Sequence, residues 1–290
     1  MTRVVAVGGG HGLAATLRSV VPWAEEVTAV VSTADDGGSS GRLREARSRP
    51  ALGDLRRCLT ALADPAAPWT RALERRFHDT DLAGHPTGNL VLLALMEELG
   101  DLQAACDELA RTAAVDPSRA RVVPVTSEPV VLHARTRDGR TVSGQVAVAD
   151  TLDLLEVWVE PEETQASPLA LDAVDRADLV LLGPGSLYTS VLAAAVVGDL
   201  RKALVGTSAR VVYVANLRAD QREARGYDLG AHLAALGHHG VHPHLVLAHP
   251  GALPLGAPGV AVHEADVAAA SGHAHDPAKL ADALQALVER

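Results

Sequence analysis

Short runs of apolar residues, several of them closed by glycine, set the rhythm of this chain. Val4–Val7, Val27–Val31, Leu179–Leu182, Val211–Val214 and Leu245–Ala248 are almost wholly apolar. They lack the alternation of a half-exposed strand, which predicts strands covered on both faces in a parallel sheet. Helical periodicity follows over Leu13–Val20, about 52–63, about 89–99, about 187–204, about 228–237 and Pro277–Val288. The nearly unbroken apolar stretch Leu90–Met96 predicts that its helix is buried. Gly100-Asp101 ends that helix and caps another running to about Thr112.

Near Arg121 the pattern changes. Val130–Arg137, Asp138-Gly139 and Thr141–Val148 read as a β-hairpin with a tight primed turn, and Leu154–Val159 alternates. The whole chain, 1–290, is thus expected to be one α/β domain, Rossmann-like, with a mostly parallel, doubly wound sheet and a small antiparallel β insertion over about 120–162.

Composition narrows the function classes. The 290 residues are 48% hydrophobic, enough for a full core, and the formal net charge is −10. Lys202 and Lys279 are the only lysines, and aromatics make up 2%. A broad nucleic-acid face is therefore excluded, although a few arginines in one cleft can still meet phosphates. No stretch approaches the ~20 apolar residues of a membrane span, which gives a cytoplasmic expectation. Cys58 and Cys106 lack metal-ligand spacing and read as reduced core thiols. The C-terminal histidines, His238 to His275, match no helix-borne metal pair.

The chemistry concentrates where strands end. Gly8-Gly9-Gly10-His11-Gly12 leaves the first strand and opens a helix, so the amides of Gly9, Gly10 and His11 can approach a phosphate. It fits neither the dinucleotide fingerprint, whose third glycine falls on Leu13, nor the P-loop, which needs a following lysine. The second exit, Ala34-Asp35-Asp36-Gly37-Gly38-Ser39-Ser40-Gly41, sets two carboxylates on a flexible bend. Asp35 or Asp36 can hold Mg²⁺ or a ligand hydroxyl, and Arg42 and Arg44 are placed to close over an anion. The third exit is Gly183-Pro184-Gly185-Ser186, with Ser186 as a competing N-cap. His85 and Asn89 precede an apolar helix and need polar partners, either capping bonds or a ligand. Asp54 reads as a helix-dipole partner and Arg56 and Arg57 as surface ion-pair residues.

Together, VVAVGGGHGL, VVSTADDGGSSGRLR, LGDLRRCLTAL, GHPTGNLVL and ADLVLLGPGSLYTSVL resemble the YvcK family of gluconeogenesis factors, which shares its fold with the 2-phospho-L-lactate transferases. The resemblance runs from about residue 4 to 245. It implies a bacterial cytoplasmic protein that binds a nucleotide sugar of the UDP-N-acetylglucosamine type and supports cell shape and cell-wall synthesis on gluconeogenic carbon sources. It adds Asn216 to the candidate ligand residues. After Asn216-Leu217 the family's Pro-Gly turn is absent, and Glu223 is retained within the divergent 218–224 segment.

Three functions compete at this point. In a nucleotide-sugar-binding regulator, Gly9, Gly10, His11, Gly185 and Ser186 cradle a diphosphate while Asp36 and Asn89 fix polar groups, with Gly37, Ser39, His85 and Gly183 shaping the site. A Mg²⁺-dependent transferase puts the metal on Asp35 or Asp36 beside a nucleotide. A scaffolding protein uses its glycines only for packing. The partners in prospect are a UDP-sugar, a second copy of the chain and proteins of cell-wall regulation.

Overall fold

The computed structural model describes residues 2–45, 49–78, 81–218 and 222–288, with the side chains of Arg44 and Glu45 outside that description. Seven parallel strands form the main sheet: β1 Arg3–Gly8, β2 Glu26–Val31, β3 Ala120–Pro124, and later along the chain four more. A second sheet is antiparallel and built from β4 Val131–Thr136, β5 Thr141–Ser143 and β6 Leu154–Glu160. The main sheet then resumes with β7 Leu179–Leu182, β8 Arg210–Val214, β9 Leu245–Ala248 and β10 Ala261–Glu264.

The strand order is β10-β9-β8-β7-β1-β2-β3. β1 pairs in parallel with β2 (Val4 opposite Val27) and with β7 (Val4 opposite Leu179). From β1 the chain builds outward to β3, then returns to β1's other side and builds toward β10. The β1/β7 boundary is therefore the topological switch point, whose carboxyl-end crevice is where doubly wound sheets bind ligands. Neighbouring residues of β1 feed opposite cores: Val5 and Val7 pack on one side of the sheet, Val4 and Ala6 on the other. That is why its sequence is apolar without alternation. Among the described residues no helix is long and apolar enough to cross a membrane. Cys58 and Cys106 are buried and free.

Four expectations are corrected. β3 pairs in parallel with β2, so residues 120–124 belong to the main sheet and the antiparallel insert begins at Val131. The second arm of the hairpin is three residues long, because Gly144 (φ +96°) turns the chain into a short helix, Gln145–Ala149. In its turn only Gly139 has positive φ, whereas a primed turn of type I′ needs it at both central residues. The helix Thr87–Leu99 buries only Gly88, Asn89 and Leu92, and Leu99 is 47% exposed, so it lies at the surface.

The segment after β7 also departs from a single helix. It opens with a π-helical stretch, Leu187–Leu192, and breaks before a separate helix, Gly198–Gly206. A carboxylate from outside the segment holds the opening turn: buried Glu223 accepts Tyr188 N–H at 2.8 Å and the Thr189 hydroxyl at 2.7 Å. Burial pushes the Glu223 carboxyl up in pKa, and the bonds from Thr189 and Tyr188 partly oppose that.

Candidate functional site

The first glycine exit is organised by a residue from another helix. Gly10 sits at φ +69° at the start of the helix Gly10–Val20, and its N–H donates to Asp54 Oδ2 at 2.8 Å. Asp54 lies in the first turn of the helix Gly53–Leu62 and forms an ion pair with Arg57. A side chain at Gly9 would place its Cβ 2.5 Å from the same carboxylate oxygen, so glycine there makes the contact possible. Asp54 thus does more than balance its own helix dipole.

Asp35 reaches the same neighbourhood from the β2 exit. Its Oδ1 accepts Gly37 N–H at 3.0 Å. Asp35 and Asp54 face Arg56, Arg57, Arg76 and Asn89 around a cavity of about 280 Å³. Burial raises the Asp35 pKa first, and the neighbouring Asp54 charge adds to it, against opposing bonds from Gly37 and Ser40 and the charge of Arg57. A buried carboxyl whose ionised form is disfavoured in this way is suited to keep a proton or to take a cation in its place. Among the described residues no group of three or more His, Cys, Asp or Glu is disposed to hold a metal ion.

Behind the cavity runs a buried polar chain. Arg56, 1% exposed, pairs with Glu74 and donates through Nε to Asn89 Oδ1 at 3.2 Å. Asn89 Nδ2 donates to Ser39 Oγ at 3.0 Å, and Ser39 Oγ meets His85 Nδ1 at 2.8 Å. Burial lowers the His85 pKa, and Arg42 and Arg76 lower it further, which favours the neutral ring beside the Ser39 hydroxyl. Asn89 and Ser39 border the cavity, whereas His85 supports them from behind.

Two sequence candidates have structural partners instead. Both oxygens of Asp36 accept backbone N–H groups of the insert, Gln145 and Val146, each at 2.9 Å. Asp36 therefore caps the short helix Gln145–Ala149 and fastens the insert to the main sheet. Arg42 donates to Ala83 O at 2.8 Å and is exposed; among the described residues the arginines at the cavity are Arg56, Arg57 and Arg76. Of these three, Arg56 and Arg57 were read from the sequence as surface ion-pair residues. The Arg44 side chain and residues 219–221 lie outside the described residues.

The third exit packs directly on the first. A Cβ at Gly12 would fall 2.0 Å from Pro184 O, so only glycine lets the two loops meet. Gly185 N–H donates to the buried Asn216 Oδ1 at 3.1 Å. The Ser186 side chain makes no capping bond, which removes the simple explanation for a serine there. These loops open on a second cavity, about 220 Å³, bordered by His11, Gly12, Gly185, Asn216, Arg218 and His273, with His275 and Leu217 beside them. Among the described residues no carboxylate borders it. The His11 pKa is lowered by desolvation of its ring and by Arg57 and Arg56. Arg218 meets His273 Nδ1, and His275 Nε2 donates to Ala215 O at 3.2 Å. Sequence spacing brought together the β1 and β7 exits. It missed Arg218 and His273, which come from the divergent segment and from the chain before the last helix.

The sequence matches the family described as 2-phospho-L-lactate transferase CofD over residues 4–275. A relative in Deinococcus radiodurans is 41% identical over 82% of this chain, and the chain spans about half, 51%, of that protein's length. The gluconeogenesis factor of Bacillus subtilis is 36% identical over 82% of this chain and 74% of its own. A crystal structure of a Bacillus halodurans protein superposes with a TM-score of 0.91 at 30% identity, covering 97% of this chain and 98% of that one.

Proposed function

Since the chain belongs to the gluconeogenesis-factor family, within the wider family of the 2-phospho-L-lactate transferase CofD, we propose that it is a regulator that binds a nucleotide sugar of the UDP-N-acetylglucosamine type. The ligand's diphosphate lies in the β1/β7 crevice, and the bound state supports cell shape and cell-wall synthesis during gluconeogenic growth. One observation carries this reading. In a chain of net charge −10, the switch-point crevice is bordered by Arg218 and, among the described residues, by no carboxylate. The amides of His11 and Gly12 lie in a first helical turn, where N–H groups have no intrahelical partner and the helix dipole favours anions. Because Gly10 and Gly185 amides are engaged by Asp54 and Asn216, phosphate contacts fall to His11, Gly12 and Arg218.

A second reading, Mg²⁺-dependent group transfer, is favoured by the Asp35–Asp54 pair in its arginine-bordered cavity on the other side of the Gly10–His11 turn. Two carboxylates leave the remaining positions of a six-coordinate Mg²⁺ to ligand oxygens and water. Calorimetric titration with UDP-N-acetylglucosamine, with and without Mg²⁺, tests the first reading. Saturable binding weakened at least about tenfold by Arg218→Gln supports it. Absence of binding at ~1 mM ligand overturns it. Product formation that stops in Asp35→Asn transfers the assignment to the second reading.

A further inference from the structure

A third concavity lies beside these cavities and is not used by either reading. This cleft, about 1380 Å³, runs between the Gly37–Gly41 turn and the edge of the small sheet. Val131 and Val146 border it at 39% and 46% exposure, between Pro129 and Pro161. Asp36, Glu160, Glu162 and Glu163 supply its carboxylates, and among the described residues no lysine or arginine borders it. Asp36 is committed to its two amides and Glu160 to His133 at 3.3 Å. Glu162 and Glu163 are exposed and have no ion-pair partner among the described residues.

Size and charge select the occupant. The volume exceeds the roughly 300–1,000 Å³ of a small-molecule pocket, and the cleft is open along its length. Exposed valines favour apolar side chains, and the unpaired glutamates favour cations. A second copy of this chain, with net charge −10, would bring like charge to an acidic rim. We propose that the cleft docks an extended basic segment of a partner protein, with its apolar side chains on Val131 and Val146 and its lysines or arginines on Glu162 and Glu163. Gly37 and Gly38 border both this cleft and the Asp35 cavity, so the docked segment rests on the turn that shapes the ligand site.

The test is fluorescence anisotropy with a fluorescein-labelled peptide alternating lysine with valine and leucine, against a glutamate counterpart. The lysine peptide is expected to bind saturably and the glutamate peptide not to bind. Glu162→Lys with Glu163→Lys should weaken binding at least about tenfold. Glu97→Lys with Glu98→Lys, on the helix Thr87–Leu99 and outside the lining of the cleft, should leave it within about twofold. Val146→Asp and Val131→Asp each add a negative charge, so unspecific attraction to an acidic chain would tighten binding, whereas seating on the apolar floor requires loss. Tighter or unchanged binding in those two variants, or no saturable binding of the lysine peptide, overturns the proposal. Thermal melting of each variant checks its fold, and the two aspartate sites on separate elements provide independent readings.

Discussion

The Asp54 carboxylate accepts the Gly10 amide at 2.8 Å, tying the start of one helix to the glycine turn that opens another 44 residues away. Arg57 holds the second oxygen. Asp54→Ala would leave both a backbone donor and a half-buried guanidinium without their partner, a loss of about 1–3 kcal/mol. Asp54→Asn keeps an acceptor for Gly10 and loses only the charge opposite Arg57. Thermal melts should therefore rank wild type above the asparagine variant and that above the alanine variant; equal melting of all three would contradict the organising role of Asp54.

Asp35 offers the opposite sign. Burial, and then Asp54, disfavour its ionised form, so the folded state holds the proton more tightly than the unfolded state. Stability from this group is full below the ordinary carboxylate range and is lost as pH rises through the raised folded value. At neutral pH, Asp35→Asn should raise Tm while weakening Mg²⁺-dependent binding. A lower Tm would assign Asp35 to structure.

Asp36 is expected to behave as a cap. Asp36→Ala should cost about 1 kcal/mol and speed hydrogen exchange at the Gln145 and Val146 amides, with little change in the rest of the main sheet. Unchanged exchange at both amides would remove the capping role.

What the sequence made legible, and what it did not, follows from the range of the interactions. The strands β1, β2, β7, β8 and β9 were readable because a strand covered on both faces leaves a continuous apolar run. β10 was not: it is a four-residue edge strand, Ala261–Glu264, with no fully buried side chain. The glycine exits stood out as local composition, and Gly12 against Pro184 O shows that one of those glycines serves packing. The contacts of Asp36 and Asp54 were not legible because their partners, Gln145 and Gly10, lie 109 and 44 residues away, beyond any local pattern. The helix Thr87–Leu99 was misjudged because an apolar helix records what it is able to bury, and only one face of this one is covered.

Acid should destabilise the fold through two buried histidines. Burial pushes His232, which faces the Tyr213 hydroxyl at 2.8 Å, and His275 down to about 4. Between their ordinary value of 6.5 and about 4 the unfolded chain binds more protons. Stability from these groups is therefore full above pH 6.5, falls as pH drops, and is gone below about 4. Urea melts across that window should show a smaller loss for His232→Gln than for wild type, by roughly 2–3 kcal/mol. Parallel curves for the two proteins would contradict the neutral, buried state of His232.

The central claim concerns one crevice, and a crystal structure of the protein with UDP-N-acetylglucosamine tests it most directly. The diphosphate is expected between the β1 and β7 exits, within hydrogen-bond distance of the His11 amide and the Arg218 guanidinium, with Gly12 still against Pro184. A diphosphate bound elsewhere, with that crevice holding only solvent, would contradict it.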